Sequence, residues 1–240
     1  MMTSLGLLTI LPGRGVEGDP RWVRWFPVVG VLLGVCVGVV WTASEAIWSA
    51  PIAGVLAVAA DAALTGGMHY DALADGADGL LPAHLSRRRR LEIMEEPTLG
   101  TFGCLALAIT VLSRVFLFSE IAPNVLVTAG LWAASRTVMG IAPAFTDCAR
   151  PGGLGALLDR PRVARQMIPL LLVGSFVTLG TMAWAGPASA VAASVASLAA
   201  AAACTTMLAV RRLGGHTGDV LGAAGLVGET AGLLAWAAVS

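Results

Sequence analysis

Seven apolar stretches, each close to 20 residues long, divide this 240-residue chain and fix its solvent before any motif is considered. They run from Phe26 to Trp48, Ala50 to Met68, Gly100 to Phe118, Pro123 to Phe145, Ile168 to Gly186, Ala188 to Val210 and Val220 to Val239. A bilayer core about 30 Å thick is spanned by roughly 20 helical residues, and backbone in lipid must satisfy its own hydrogen bonds. The expected fold is therefore all-α: a polytopic membrane bundle of about seven transmembrane helices, forming one integral membrane domain over residues 1–240. Met1 to Leu11 has neither the basic region nor the cleavage pattern of a signal peptide, and reads as a retained interfacial or re-entrant segment. A composition of 57% hydrophobic and 12% charged residues agrees with a chain that lives in lipid.

Charge position says more than charge total. The net charge is zero and aromatics make up 6%, which argues against a nucleic-acid partner. Every cation is an arginine. Arg14, Arg21 and Arg24 precede the first span, Arg87 to Arg90 lie in the second connection, Arg150, Arg160, Arg162 and Arg165 follow the fourth span, and Arg211 and Arg212 follow the sixth. Seven crossings put all of these on one side, which the positive-inside rule assigns to the cytoplasm. Cys36, Cys104, Cys148 and Cys204 are scattered without metal-ligand spacing and read as packing residues.

Chemistry concentrates at the cytoplasmic mouth of the second span, in LTGGMHYDALADGADGL from Leu64 to Leu80. At 100° per residue, Asp71, Asp75 and Asp78 fall within about 60° of one another on a helix. A divalent cation relieves the repulsion of such a stripe, and carboxylates with substrate phosphates suit Mg2+. Asp71 and Asp78 are about 10 Å apart along that helix, so either two ions bind or one aspartate works separately. His69 is read as a substrate ligand, a base or a structural residue.

Two further patches share that side. EIMEEPTLGTFG, Glu92 to Gly103, places Glu95 and Glu96 before a glycine-rich helix start whose N–H groups could hold phosphate. RRLGGHTGDVLGA, Arg211 to Ala223, combines cations, glycines, Thr217 and Asp219. Within the spans, Asp61 is expected to pair with an intramembrane arginine, Arg114 or Arg136, while Glu229 either supports the site or braces the bundle.

Together with FPVVGVLLG at Phe26 to Gly34 and the Ser135–Arg136 pair, these motifs resemble the cobalamin synthase family, the adenosylcobinamide-GDP ribazoletransferases or cobalamin 5′-phosphate synthases, along nearly the whole chain. The resemblance implies a multi-pass enzyme of the bacterial inner membrane, magnesium-dependent, with its site facing the cytoplasm. It implies transfer of adenosylcobinamide-phosphate from adenosylcobinamide-GDP to alpha-ribazole or its 5′-phosphate, with GMP released. The acidic cluster carries over as Asp71, Asp75 and Asp78, taken as metal ligands, with Asp71, Asp78 and His69 as catalytic candidates. Arg88, Glu96, Arg136, Arg211, Thr217 and Asp219 form the expected substrate-binding set. A homo-oligomer, or an assembly with other corrinoid-pathway enzymes, stays open. The sequence departs from the family pattern at Ile10, Ala72, Glu96, Arg114 and Leu226.

Two rival readings remain. A CDP-alcohol phosphotransferase also needs acidic residues at a helix mouth, but its DGxxAR signature is absent. A transporter would use Asp61, Arg136 and Glu229 as an intramembrane relay.

Overall fold

The structure, a computed structural model, describes residues 1–12, 20–150, 156, 158 and 160–239. Arg14 and the side chains of Arg160, Arg162 and Arg165 lie outside the described residues. The chain folds as α1 (Met2–Leu8), a 3-10 turn (Pro20–Trp25), α2 (Phe26–Glu45), α3 (Ala50–Leu64), α4 (Met68–Leu80) and α5 (Arg87–Ile93). Then come α6 (Thr101–Glu120), α7 (Val125–Ile141) with a 3-10 extension (Ala142–Ala144), α8 (Arg160–Met182), α9 (Ala188–Leu213) and α10 (Gly218–Val239). Among the described residues the extended pairing is a single parallel bridge between Cys148 and His216. The all-helical membrane bundle expected from hydropathy is what forms.

Among the described residues, five helices are long and apolar enough to cross a bilayer: Arg21–Glu45, Thr101–Glu120, Val125–Ala144, Ala188–Leu213 and Gly218–Val239. A sixth crossing comes from α3 and α4 counted together, but these meet at 89°. Among the described residues α8 contributes a shorter apolar stretch, Ile168–Met182, so the expected count of seven spans is not confirmed. The second expected span, Ala50 to Met68, needs correction as well. Its helix stops at Leu64, and Gly66 and Gly67 take φ values of +62° and +74°, left-handed backbone that side chains other than glycine adopt at a cost. Thus the second expected span is a bent pair: α3, about 22 Å long, is too short to cross alone, and it counts as a crossing only together with α4.

Close packing explains how α4 can be buried at this end of the bundle. It lies against α10 and α6, and ten of its residues, from His69 to Leu80, are buried. Its C-terminal end is closed by Arg90, which is 2% exposed and donates to the carbonyls of Gly79 at 2.8 Å, Leu80 at 3.1 Å and Pro82 at 2.6 Å. A guanidinium there satisfies carbonyls the helix leaves unpaired and complements its dipole. Deeper, α2 packs on α7 and α9 on α10, enclosing a core that includes Trp41, Phe118, Leu131 and Trp132.

Inside this core the intramembrane charges find one another. Arg114 on α6 donates to Asp61 on α3 at 3.0 Å and to Glu229 on α10 at 3.0 Å, and Glu229 also pairs with Arg136 on α7. Asp61 further accepts from Trp132 Nε1 at 2.8 Å and from the Tyr70 hydroxyl at 3.1 Å. Two arginines and two carboxylates, all buried, sum to zero charge, which is how ionised groups persist in low dielectric. Asp61 pairs with an arginine as expected. Arg136 was expected at the substrate and is instead 1% exposed and held by Glu229 and the Ser135 hydroxyl.

Candidate active site

A cavity of about 260 Å3 opens where α4, α10 and the segment after α7 meet. Its walls include Leu8, Phe26, Met139 and Leu221, all buried, and its open side includes Asp71, Arg150 and Asp219. His69 and Thr217 complete the polar lining. Four of the residues expected from sequence, His69, Asp71, Thr217 and Asp219, are therefore brought together, although 148 positions separate Asp71 from Asp219 in the chain.

Local structure explains their placement. The double-glycine break starts α4 afresh at Met68, which puts His69 and Asp71 in its first turn, facing the first turn of α10. Thr217 caps α10: its hydroxyl accepts from Val220 N at 3.2 Å, leaving Asp219 in the first turn, where the helix dipole favours a carboxylate. The Cys148–His216 bridge, with His216 N donating to Asp147 O at 2.8 Å and Ala149 N to His216 O at 2.8 Å, pins the segment after α7 to this cap. Arg150 is delivered to the cavity by that pinning.

Arg150 joins two of the acidic patches. One of its nitrogens pairs with Glu95 and the other lies 3.2 Å from Asp219 Oδ2. Asp75 sits on α4, with Asp71, Asp219 and Asp78 near it and Arg150 as the opposing charge. Carboxylates thus crowd around one guanidinium, an arrangement that an anionic ligand carrying its own cation would relax. The buried His69 Nε2 has no hydrogen-bond partner among the described residues.

Several expected members lie elsewhere. Asp78 does not face the cavity: its two oxygens accept from Gly100 N at 2.7 Å and Gly103 N at 2.9 Å, so it caps α6. A side chain at Gly100 or Gly103 would come within 2.5 Å of that carboxylate, which is why the helix start is glycine-rich. The reading of that start as a phosphate cradle is corrected accordingly, since a protein carboxylate already occupies those N–H groups. Arg88 is exposed and pairs with Glu92 at 2.8 Å, and Glu96 pairs with Arg89 at 2.6 Å. Arg211, also exposed, does not line the cavity. Among the described residues no three His, Cys, Asp or Glu side chains gather as a ready-made metal site, so the trio Asp71, Asp75 and Asp78 is not assembled as one.

Sequence reasoning missed Arg150, Cys148, Phe26 and the α1 leucines as lining residues. Arg150 was visible only as one of several loop arginines. Nothing in a single sequence says that Leu7 and Leu8 fold back over a site more than 200 residues downstream.

Comparison with known proteins bears on what such a cavity does. A family model described as Cobalamin-5-phosphate synthase matches residues 1–237. A protein of Escherichia coli O17:K52:H18 (strain UMN026 / ExPEC) named adenosylcobinamide-GDP ribazoletransferase is 36% identical over 243 residues, covering 96% of each chain. One of the same name from Shigella boydii serotype 4 (strain Sb227) is also 36% identical, again over 96% of each chain. A third, from Citrobacter koseri, is 38% identical over 227 residues, 93% of this chain and 90% of its own. No solved structure matches.

Proposed function

This chain belongs to the cobalamin-5-phosphate synthase family, and we propose from that membership and from the cavity how its residues carry out the reaction. The reaction transfers adenosylcobinamide-phosphate from adenosylcobinamide-GDP to ribazole, giving the cobalamin skeleton. An acceptor hydroxyl oxygen bonds to the cobinamide-linked phosphorus. The bond from that phosphorus to the bridging oxygen breaks, and GMP leaves with the electron pair.

Negative charge builds on the phosphoryl oxygens and on the departing oxygen, and a fixed guanidinium offsets it. Among the described residues Arg150 is the arginine that lines the cavity, and it exchanges its carboxylate partners for the diphosphate. Asp71 and Asp219, with Asp75 beside them, would hold Mg2+. The donor set fits that ion, which takes one or two carboxylates and fills its shell with water and substrate phosphate. When bound, magnesium neutralises and polarises the diphosphate.

His69 Nε2, buried at the cavity and without a partner among the described residues, takes the acceptor's proton. Asp78, the other catalytic candidate for that proton, has both oxygens committed to α6. The Thr217 hydroxyl, already holding Val220 N, keeps the Asp219 turn in place.

The site faces the cytoplasm of a bacterial inner membrane. Support comes from arginines that contact one another's segments at the same end of the bundle. Arg87 donates to Ala149 O at 3.3 Å and Arg212 to Ala83 O at 3.3 Å, which gathers three arginine-bearing connections there. Either alpha-ribazole or its 5′-phosphate serves as acceptor.

The observation that carries this reading is Arg150 held between Glu95 and Asp219 at the mouth of a cavity that Asp71 and His69 also line. The test is GMP release by purified protein given adenosylcobinamide-GDP and alpha-ribazole, with and without Mg2+. Release only with the ion and both substrates is expected, and equal release in chelator contradicts the metal assignment.

A further inference from the structure

We propose that the cavity is the acceptor's subsite: the two-ring base and ribose of ribazole enter it, while the corrinoid stays outside and presents only its diphosphate at the mouth. This inference rests on the transferase reading above and assigns the two substrates to different parts of one site.

Size makes the first argument. At about 260 Å3 the cavity falls just under the ~300–1,000 Å3 that usually encloses a drug-sized ligand. A single nucleoside fits such a volume. A corrin macrocycle with its adenosyl group and amide side chains is several times larger, and cannot enter between these helices.

Chemistry makes the second. Much of the buried lining is apolar, with Leu8 and Phe26 each 2% exposed, Leu221 4% and Met139 6%, and its buried polar groups are His69 and Thr217. An aromatic ring and two methionine side chains, Met68 and Met139, suit the faces of a flat, methylated heterocycle, because thioethers pack well on aromatic rings. A guanine would bring hydrogen-bonding edges that this wall does not answer.

Polar groups make the third. His69 is 3% exposed, lines the cavity, and leaves Nε2 without a partner among the described residues, an unmet demand that a ligand hydroxyl answers. Charged residues are on the open side, where Asp71, Arg150 and Asp219 meet the diphosphate. A ribose hydroxyl at His69 therefore lies between the apolar wall and the phosphate-binding mouth, where the nucleophile must be.

Cys148 gives a reporter, since it lines the same cavity while Cys36, Cys104 and Cys204 are exposed elsewhere and can be replaced by Ala. In that variant of the full chain, alpha-ribazole at ten times its KM should slow maleimide labelling of Cys148 about tenfold by simple occupancy, while GMP leaves the rate unchanged. In parallel, Leu7→Trp narrows the cavity from a partly buried position, and should raise KM for alpha-ribazole by about tenfold or more while KM for adenosylcobinamide-GDP stays within about twofold. Labelling unaffected by alpha-ribazole in a preparation that turns over would overturn the assignment. So would protection by GMP in place of alpha-ribazole, or a KM shift confined to the corrinoid. Absence of turnover in the parent protein would count against the transferase reading instead, and protection of Cys148 by alpha-ribazole would still decide the subsite.

Discussion

Tyr70 donates its hydroxyl to Asp61 Oδ2 at 3.1 Å from the far side of an 89° bend, so the last turn of α3 holds the first turn of α4. Asp61 is itself fixed by Arg114 and Trp132. The residues on either side of Tyr70 are His69 and Asp71, which places the intramembrane charge network in mechanical contact with the site.

Removing that hydroxyl should be felt at the chemistry more than in the fold. A hydrogen bond to a charged group contributes about 1.5–3 kcal/mol, whereas a displacement of about 1 Å at reacting groups costs on the order of 100-fold in rate. Tyr70→Phe is expected to lower the unfolding temperature in detergent by a few degrees and kcat by roughly 10- to 100-fold. Steady-state kinetics beside a thermal melt check this; a kcat close to the parent's would mean that the bend holds without Tyr70.

Glu229 neutralises two arginines at once. Glu229→Gln leaves Arg136 without a counter-charge in the bundle core, and should destabilise the protein by about 3–5 kcal/mol. Adding Arg136→Met should recover much of that loss, because Arg114 still has Asp61. Melting of the single and double variants measures the coupling, and equal losses in both would show that the charges are independently solvated.

Asp78 contrasts with Asp71, about two helical turns away on the same helix. Asp78→Asn keeps one acceptor oxygen and orphans one of the α6 N–H groups, at a cost of about 1–3 kcal/mol. The magnesium concentration for half-maximal turnover should not move. A marked increase in that concentration would return Asp78 to the metal.

Much of this was legible in the sequence. Hydropathy showed the helical membrane class, and the motifs at Leu64–Gly79 and Arg211–Ala223 pointed to His69, Asp71, Thr217 and Asp219, which do meet at one cavity. Helical periodicity also put Asp78 beside Asp71, and it does lie on the same helix, yet periodicity reports one helix and not what packs against it. The glycine-rich start of α6 claims Asp78, and the carbonyls at the end of α4 claim Arg90. The bend was hidden for a related reason: Leu64 to Met68 is apolar enough to extend a span, and only two positive φ values stop it. Arg150 and Leu7 reach the site through tertiary contacts that carry no local signal.

The central claim is that cavity-lining Asp71 serves phosphoryl transfer. Turnover of Asp71→Asn, measured as cobalamin product from adenosylcobinamide-GDP, alpha-ribazole and Mg2+ with membrane insertion verified, tests it most directly. A loss of at least about 100-fold with the melting temperature retained is the predicted result; turnover within about threefold of the parent protein would contradict it.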